Sequence, residues 1–512
     1  MFNSMQSLLV SALSVFSAAS GSPLVDRTPE IQGQFANVTA SADGNRILFT
    51  SSFDLLGLGG NAAKFAQCYA YELSTKKMQL VSKDAAGQPI DSWCGLPEIS
   101  KNGKFATYAV NEKIEKGLAN ARSFYRTDLT NGKVVRIYHD DRATNTSGAL
   151  MAARPSPDGS RVLICSQALD VPGTTSHGTY PNGDTYADPQ VQLIEVDVAS
   201  GKFNLVSYAR GANEGFARGA CHGDYTSDGK RVLFSGSLDA AQAKGMGFGE
   251  KKLSDHVFVR DLASGKLVLA TSLADGTPFT GFTLGSNAQI SGDGRYVFLS
   301  SGESSIVDPI RPKGWTWTPS QILRKDLQTG KIEITSIGPN GDVLTSMTSD
   351  AVLIAKGNPN LAGFVSRESK ILPNDYFPGV SLEGENSPNR AYVHDLASGR
   401  WTVGDFTGDP KAVRLDWTRD ASLSDDGSKL IFAATRIANA KCTESTPIKD
   451  CYEEIEVVNE ERNTTNYYTI VKKFGANDIF VRNLATGERT CVSCDWKVNP
   501  PAPKAKPAPA AG

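Results

Sequence analysis

Short apolar runs separated by tight polar turns fill the chain from about residue 36 onward, and the runs are too brief for helices. In Ala153-Arg-Pro-Ser-Pro-Asp-Gly-Ser-Arg-Val-Leu-Ile-Cys-Ser166 two strand-like segments flank Asp158-Gly159, where glycine tolerates the positive φ of a tight hairpin turn. The same pattern returns at 38–52, 97–110, 224–237, 288–301 and 421–435, with turns at Asp43-Gly44, Asn102-Gly103, Asp228-Gly229, Asp293-Gly294 and Asp426-Gly427. A degenerate copy at 351–366 keeps the apolar strands but turns through Lys356-Gly-Asn-Pro-Asn360.

A second hairpin signature follows each copy, as in Val259-Arg-Asp-Leu-Ala-Ser-Gly-Lys266, Arg324-Lys-Asp-Leu-Gln-Thr-Gly-Lys331 and Val393-His-Asp-Leu-Ala-Ser-Gly-Arg400. Two hairpins per unit, recurring roughly every 56 to 70 residues, predict seven four-stranded blades of an all-β propeller. The second strands, such as Arg46-Ile-Leu-Phe-Thr50 and Lys429-Leu-Ile-Phe-Ala433, are continuously apolar, as befits strands covered on both faces. The hairpin Ser291-Gly-Asp-Gly-Arg-Tyr-Val-Phe-Leu-Ser300, together with Val257-Phe-Val-Arg-Asp-Leu-Ala-Ser-Gly265, resembles the TolB-type repeat across most of residues 36–494. That resemblance implies architecture; the same repeat occurs in periplasmic scaffold proteins, in the propellers of prolyl oligopeptidase-like peptidases and in oligogalacturonate lyase.

Strands that run up and down divide the connections between two faces. Turns between first and second strands, and between third and fourth, are short and share one face. The other face receives long connections at 167–189, 237–255, 302–320, 367–388 and 436–477. Loops of that length on a rigid ring are where binding is expected. Trp93, Tyr180, Tyr186, Trp315, Trp317, Tyr376 and Trp417 fall in or beside this face, as do Phe279, Phe282 and Phe377, and with Arg218 the first seven are the candidate binding residues.

Composition narrows the picture. The chain has 512 residues, with 53 Lys and Arg against 55 Asp and Glu, and no basic stripe, so nucleic acid is not an expected partner. The apolar run 8–16 followed by small residues reads as a secretory signal peptide over 1–20, with the propeller over 21–496 and a disordered Pro/Ala/Lys tail over 497–512. No membrane span is expected in the mature chain, and a periplasmic or extracellular monomer is. Eight cysteines agree with an oxidising compartment, and the topology suggests pairing Cys68 with Cys94, Cys165 with Cys221, Cys442 with Cys451 and Cys491 with Cys494. Of the sequons at Asn37, Asn145 and Asn463, Asn37 falls on an inner strand, where glycosylation would be blocked.

Catalytic signals are sparse. His256 and His394 sit in the repeated third strand and read as strand surface or inter-blade packing, whereas His177 and His222 fall in working loops and are the weak catalytic candidates. Gly219-Ala-Cys-His-Gly223 matches a nucleophile string but leads into a propeller hairpin instead of a helix. No local zinc or calcium pattern is present, and no cofactor is expected. The reading is an exported binding module that presents its loop-rich face to a protein or glycan. The alternatives are a polysaccharide lyase or hydrolase over the channel, using His177, His222 and cations such as Arg210, Arg218, Arg311 and Lys313, and a structural part of an envelope assembly.

Overall fold

The computed structural model describes residues 35–496 apart from 85, 113–120, 140–152, 167–174, 180–184, 190, 210–215, 217, 282, 312, 315–317, 340, 342, 344–351, 367–388, 408, 410, 413–414, 438–442, 444–451, 460–463 and 472–473. Seven antiparallel sheets of four strands each form the blades of a propeller. Blade one is Phe35–Ala40, Arg46–Ser51, Gln67–Glu72 and Lys77–Leu80. Blade two is Cys94–Ile99, Phe105–Glu112, Ala121–Asp128 and Val134–His139. Blade three is Ala153–Pro155, Arg161–Ser166, Gln192–Asp197 and Phe203–Leu205. Blade four is Arg218–Tyr225, Arg231–Leu238, Leu253–Asp261 and Leu267–Leu269. Blade five is Thr283–Ile290, Tyr296–Ser301, Gln321–Asp326 and Ile332–Ile334. Blade six is Val352–Ala355, Asn358–Ser366, Arg390–Asp395 and Arg400–Val403, and blade seven is Leu415–Leu423, Lys429–Ile437, Phe474–Asn483 and Arg489–Cys491.

The recurrent turn is built by its serine and aspartate. Ser41 Oγ donates to Asp43 Oδ1 at 2.6 Å, Asp43 Oδ1 accepts the Asn45 amide, and Ser41 Oγ accepts the Arg46 amide. The same knot recurs at Ser156/Asp158, Ser291/Asp293 and Ser424/Asp426, with threonine at Thr226/Asp228 and asparagine at Ser100/Asn102. At the turn of blade three Gly159 has φ +74°, and a Cβ there would also lie 2.1 Å from the Phe105 ring.

Both signatures also join neighbouring blades. On the short-turn face, at six of the seven junctions, a cation from the second or third strand donates to the next turn's carbonyl. The pairs are Arg46 to Gly103, Arg126 to Gly159, Arg161 to Gly229, Arg231 to Gly294, Arg324 to Pro359 and Lys429 to Asp43. Backbone hydrogen bonds run beside them, from Ala42 to Lys101, Asn102 to Pro157, Ser227 to Gly292, Gly292 to Lys356, Gly357 to Asp425 and Asp425 back to Ala42. Further out, the residue just before the Asp-Leu or Asn-Leu of the second signature reaches back to a carbonyl at or just beyond the end of the previous blade's last strand. Thr127 bonds Val81, Arg260 bonds Val206 and Tyr208, Lys325 bonds Ser272, His394 bonds Thr335, and Arg482 bonds Val403 and Phe406.

The ring closes without strand exchange among the described residues, because blade one uses only the start of the described chain and blade seven only its end. Asn37 N–H donates to Asp420 at 2.7 Å and Asn477 Nδ2 donates to the Phe35 carbonyl at 2.6 Å. Trp496, past the last strand, lies against Phe35, Phe49 and Tyr71 with ring centroids 5.5, 5.4 and 4.9 Å away. Two long connections fold into hairpins of their own, Thr175–Thr179 with Thr185–Pro189 and Tyr452–Asn459 with Thr464–Val471.

Candidate functional site

Two regions carry side chains of interest: the loop-rich rim and the wall of the central channel. At the rim, Trp93 lies between the last strand of blade one and the first of blade two, and is 40% exposed. Its indole covers Gly95, so closely that a Cβ on that glycine would fall 2.0 Å from the ring. The Cys68–Cys94 disulfide fixes the adjoining backbone to blade one. A neighbouring connection carries Leu56 and Leu58, both exposed, and is shaped by Asp54, whose carboxylate accepts the Leu58 and Gly59 amides at 2.9 and 2.6 Å. Asn61 Nδ2 ties this connection to Pro89 O, and Gln67 Nε2 binds Ile90 O and Ser92 O, so the two loops form one assembly.

Blade five adds Ile310, exposed at the end of the short turns Ser304–Val307 and Asp308–Ile310. Glu303 anchors that segment by accepting the Thr280, Gly281 and Ser305 amides. Burial opposes its ionisation, but these donors hold its carboxyl below the usual glutamate range.

The channel wall holds a chain of alternating charges drawn from four blades. Arg154 Nε lies 3.5 Å from Glu98 and its Nη1 3.4 Å from Asp224. Lys356 Nζ crosses from blade six to Asp224 Oδ1 at 2.8 Å and also donates to the Tyr225 carbonyl, while Asp224 Oδ2 accepts the Ile290 amide at 3.0 Å. Burial pushes the Asp224 carboxyl upward, yet Lys356 and Arg154 outweigh it and keep the group below the ordinary carboxylate value. For Lys356 burial wins, and its ammonium titrates below the ordinary lysine value.

His222 sits in the same wall. The inner strand of blade four starts at Arg218 and bulges on both sides of Cys221, so His222 is a strand residue with φ +57° instead of part of a loop. Its Nε2 donates to the Ala288 carbonyl at 3.0 Å, which leaves Nδ1 unprotonated. Burial, reinforced by nearby Arg154, lowers its pKa to about 4. An NMR titration is therefore expected to place the His222 midpoint near 4, with its share of stability lost as pH falls from the unfolded value toward that midpoint. A midpoint near 6.5 would mean that the imidazole is solvated instead.

Other sequence candidates are placed as follows. His177 and Tyr186 belong to the hairpin added to blade three, and Arg218 and Trp417 to the inner strands of blades four and seven, but their side chains lie outside the described residues. Tyr180, Arg210, Phe282, Trp315, Trp317, Tyr376, Phe377, Asn145, Asn463, Cys442 and Cys451 lie outside them entirely. Phe279 is buried in the core, and Arg311 pairs with Asp308 at 3.4 Å. His256 is buried and so not strand surface, and it bonds Thr271 just past the last strand of its own blade. His394 does join blades, and stacks on Trp401 at 4.2 Å. Asn37, on the inner strand, donates its side-chain amide to Thr50 of the second strand.

The Cys68–Cys94, Cys165–Cys221 and Cys491–Cys494 bridges are present. Asp478, Cys491 and Cys494 cluster closely enough to suggest metal ligands, but both sulfurs are consumed by the disulfide. The charge chain was missed by sequence reasoning because it joins residues such as Asp224 and Lys356 that are 132 positions apart. The only local clue was the missing serine where Lys356 replaces the turn hydroxyl.

No family model matches the chain, and no curated protein matches it. Among solved structures it is similar to TolB from Acinetobacter baumannii, with 15% identity, TM-score 0.37, and coverage of 70% of this chain and 63% of that one, less than two thirds of its length. Oligogalacturonate lyase from Vibrio parahaemolyticus is similar at 14% identity and TM-score 0.43, covering 79% and 86% of the two chains. The propeller domain of the Trilobed protease from Pyrococcus furiosus is similar at 10% identity and TM-score 0.48, covering 93% and 99%. These likenesses carry nothing about activity. By its seven four-stranded antiparallel sheets the chain is a seven-bladed β-propeller, whose repeated hairpins resemble the TolB type.

Proposed function

We propose that the chain is an exported protein-binding module whose loop-rich rim, at the junction of blades one and two, receives a partner. One observation carries this reading. Among the described residues the exposed large hydrophobics are Leu56, Leu58, Trp93 and Ile310, and all four lie on the loop-rich face. Exposed apolar side chains held in place by a disulfide and buried carboxylates are preorganised for association, since little side-chain freedom is left to lose. Flat aromatic anchors of this kind are favoured where a partner excludes water.

Among the described residues the three disulfides suit an oxidising compartment, and no helix is long and apolar enough to cross a membrane. A uronate-cleaving site in the channel is less favoured. In the channel wall Arg154 and Lys356 are already engaged by Glu98 and Asp224, and of the cations that the sequence offered for that role Arg311 pairs with Asp308.

The test compares quantitative affinity capture from the native secretome by the wild-type protein, Gly95→Ala, Trp93→Ala and the control Lys104→Ala on the short-turn face. Gly95→Ala evicts the indole without removing it. Retention of a partner should fall more than about tenfold, equivalent to about 1.4 kcal/mol, in both rim variants and stay unchanged in the control, with equal melting temperatures. Equal retention by all four proteins would rule the rim out, and elution by soluble glycans alone would move the reading from protein to carbohydrate.

A further inference from the structure

Besides its direct hydrogen bonds, the seam between blades seven and one is filled by a residue that belongs to neither sheet. At the other described junctions where this contact forms, a third-strand side chain reaches back to the preceding blade, but in blade one the equivalent residue is Tyr71, which instead receives Trp496 at 4.9 Å. Trp496 is stacked on Phe49 and edge-on to Phe35, the aromatic cluster that also contacts Ile431 and Ile479 of blade seven. The indole thus takes the place of the clamp.

The path to Trp496 is short and cross-linked. Cys491 ends the last strand, and its bridge to Cys494 closes a loop of three-residue separation. Inside it, Ser493 Oγ donates to Asp478 at 2.7 Å and accepts the Ile479 amide, and Trp496 N–H donates to the Ser493 carbonyl at 3.0 Å. Exposure separates this bridge from the other two among the described residues. Cys68, Cys94, Cys165 and Cys221 are all buried, whereas Cys491 and Cys494 are both partly exposed.

We propose that Cys491–Cys494 is a thiol-cleavable clasp that holds Trp496 in the seam, so that a dithiol reductant loosens the ring at this junction alone. The exchange is balanced. One thiolate of the reductant attacks a bridge sulfur, the second protein sulfur leaves as thiolate, and a mixed disulfide forms. The reductant's other thiolate then displaces the protein sulfur; the reductant ends as a disulfide, and its two protons end on Cys491 and Cys494. Two electrons pass to the protein. With the bridge open, the Ser493 hydrogen bonds and the one from Val492 N–H to the Ile479 carbonyl are the polar ties left among the described residues to direct the chain toward Tyr71. The clasp acts on the seam and does not require binding at the Trp93 rim.

The experiment treats the folded full-length protein with graded dithiothreitol, traps free thiols with an alkylating agent, and maps them by mass spectrometry. Hydrogen exchange is followed in parallel over residues 35–50. Cys491 and Cys494 should be labelled before Cys68, Cys94, Cys165 and Cys221, and amides at 35–50 should then exchange about tenfold faster while those of blade four do not change. Cys491→Ser/Cys494→Ser should show the faster exchange without reductant, and Trp496→Ala should show it with no further response to reductant. The wild-type titration stands even if a variant fails to fold. Labelling of this pair no earlier than the buried four, or exchange at 35–50 that is unmoved once the pair is reduced, would overturn the clasp.

Discussion

Asp224→Asn is expected to destabilise the protein by about 3–5 kcal/mol, the cost of leaving buried charges without their partner. The amide keeps the shape of the side chain and an acceptor for the Ile290 N–H, so the loss is one of charge. Lys356 and Arg154 both depend on that charge, from blades six and three. Urea unfolding should show a lower midpoint with an unchanged slope. Adding Lys356→Met to Asp224→Asn should recover part of the loss, and a double-mutant cycle would measure the coupling. A single substitution within 0.5 kcal/mol of wild type would mean that the contact is solvated and weak.

Acid should reproduce this effect. The Asp224 carboxyl titrates below its unfolded value, so its contribution is complete above about pH 4 and disappears as pH falls through the lower folded value. The Asp224→Asn protein should be less acid-sensitive than wild type over that interval.

The second large effect concerns Cys165–Cys221, which closes a loop of 56 residues between blades three and four. Chain-entropy arguments assign about 4 kcal/mol to such a loop, so Cys165→Ala/Cys221→Ala should lower stability by roughly that amount. The bridge also holds the bulged strand next to His222, and beside it Gly223 lies against Leu163 and Leu193 of blade three. The two losses should be less than additive when combined with Asp224→Asn, because both act on the inner strand of blade four. Calorimetry of the four proteins would check this, and strict additivity would show that the bridge does not position Asp224.

Much of the architecture was legible because each blade repeats a local chemical solution. Serine, aspartate and glycine at fixed offsets build the turn from contacts two to five residues apart, so Ser41, Asp43 and Gly44 announce a hairpin with no knowledge of the rest of the chain. The second signature was equally visible, although its reach into the neighbouring blade was not, since that depends on how sheets stack. Three cysteine pairs could be read from which end of a strand each residue occupied; the fourth, Cys442 with Cys451, lies outside the described residues.

The site was less legible. Trp93 was found on the loop-rich face, but its seating on Gly95 is a three-dimensional fact. His222 was assigned to a loop because the bulges around Cys221 interrupt the two-residue alternation that marks a strand. The irregular turn of blade six hid the cation at the centre of the channel network, because Lys356 finds its partner only once blades four and six face each other.

Closure by Trp496 and not by a shared strand has a consequence during synthesis. The ribosome must deliver every residue from Phe35 to Trp496 before the final junction can form, which takes roughly 20–90 s at translation rates on the order of 5–20 residues per second. Throughout that interval the aromatic flank of the first-made blade has no permanent neighbour. Any chaperone escorting the nascent polypeptide would meet that flank first, and would be released only when the last-made tryptophan arrives.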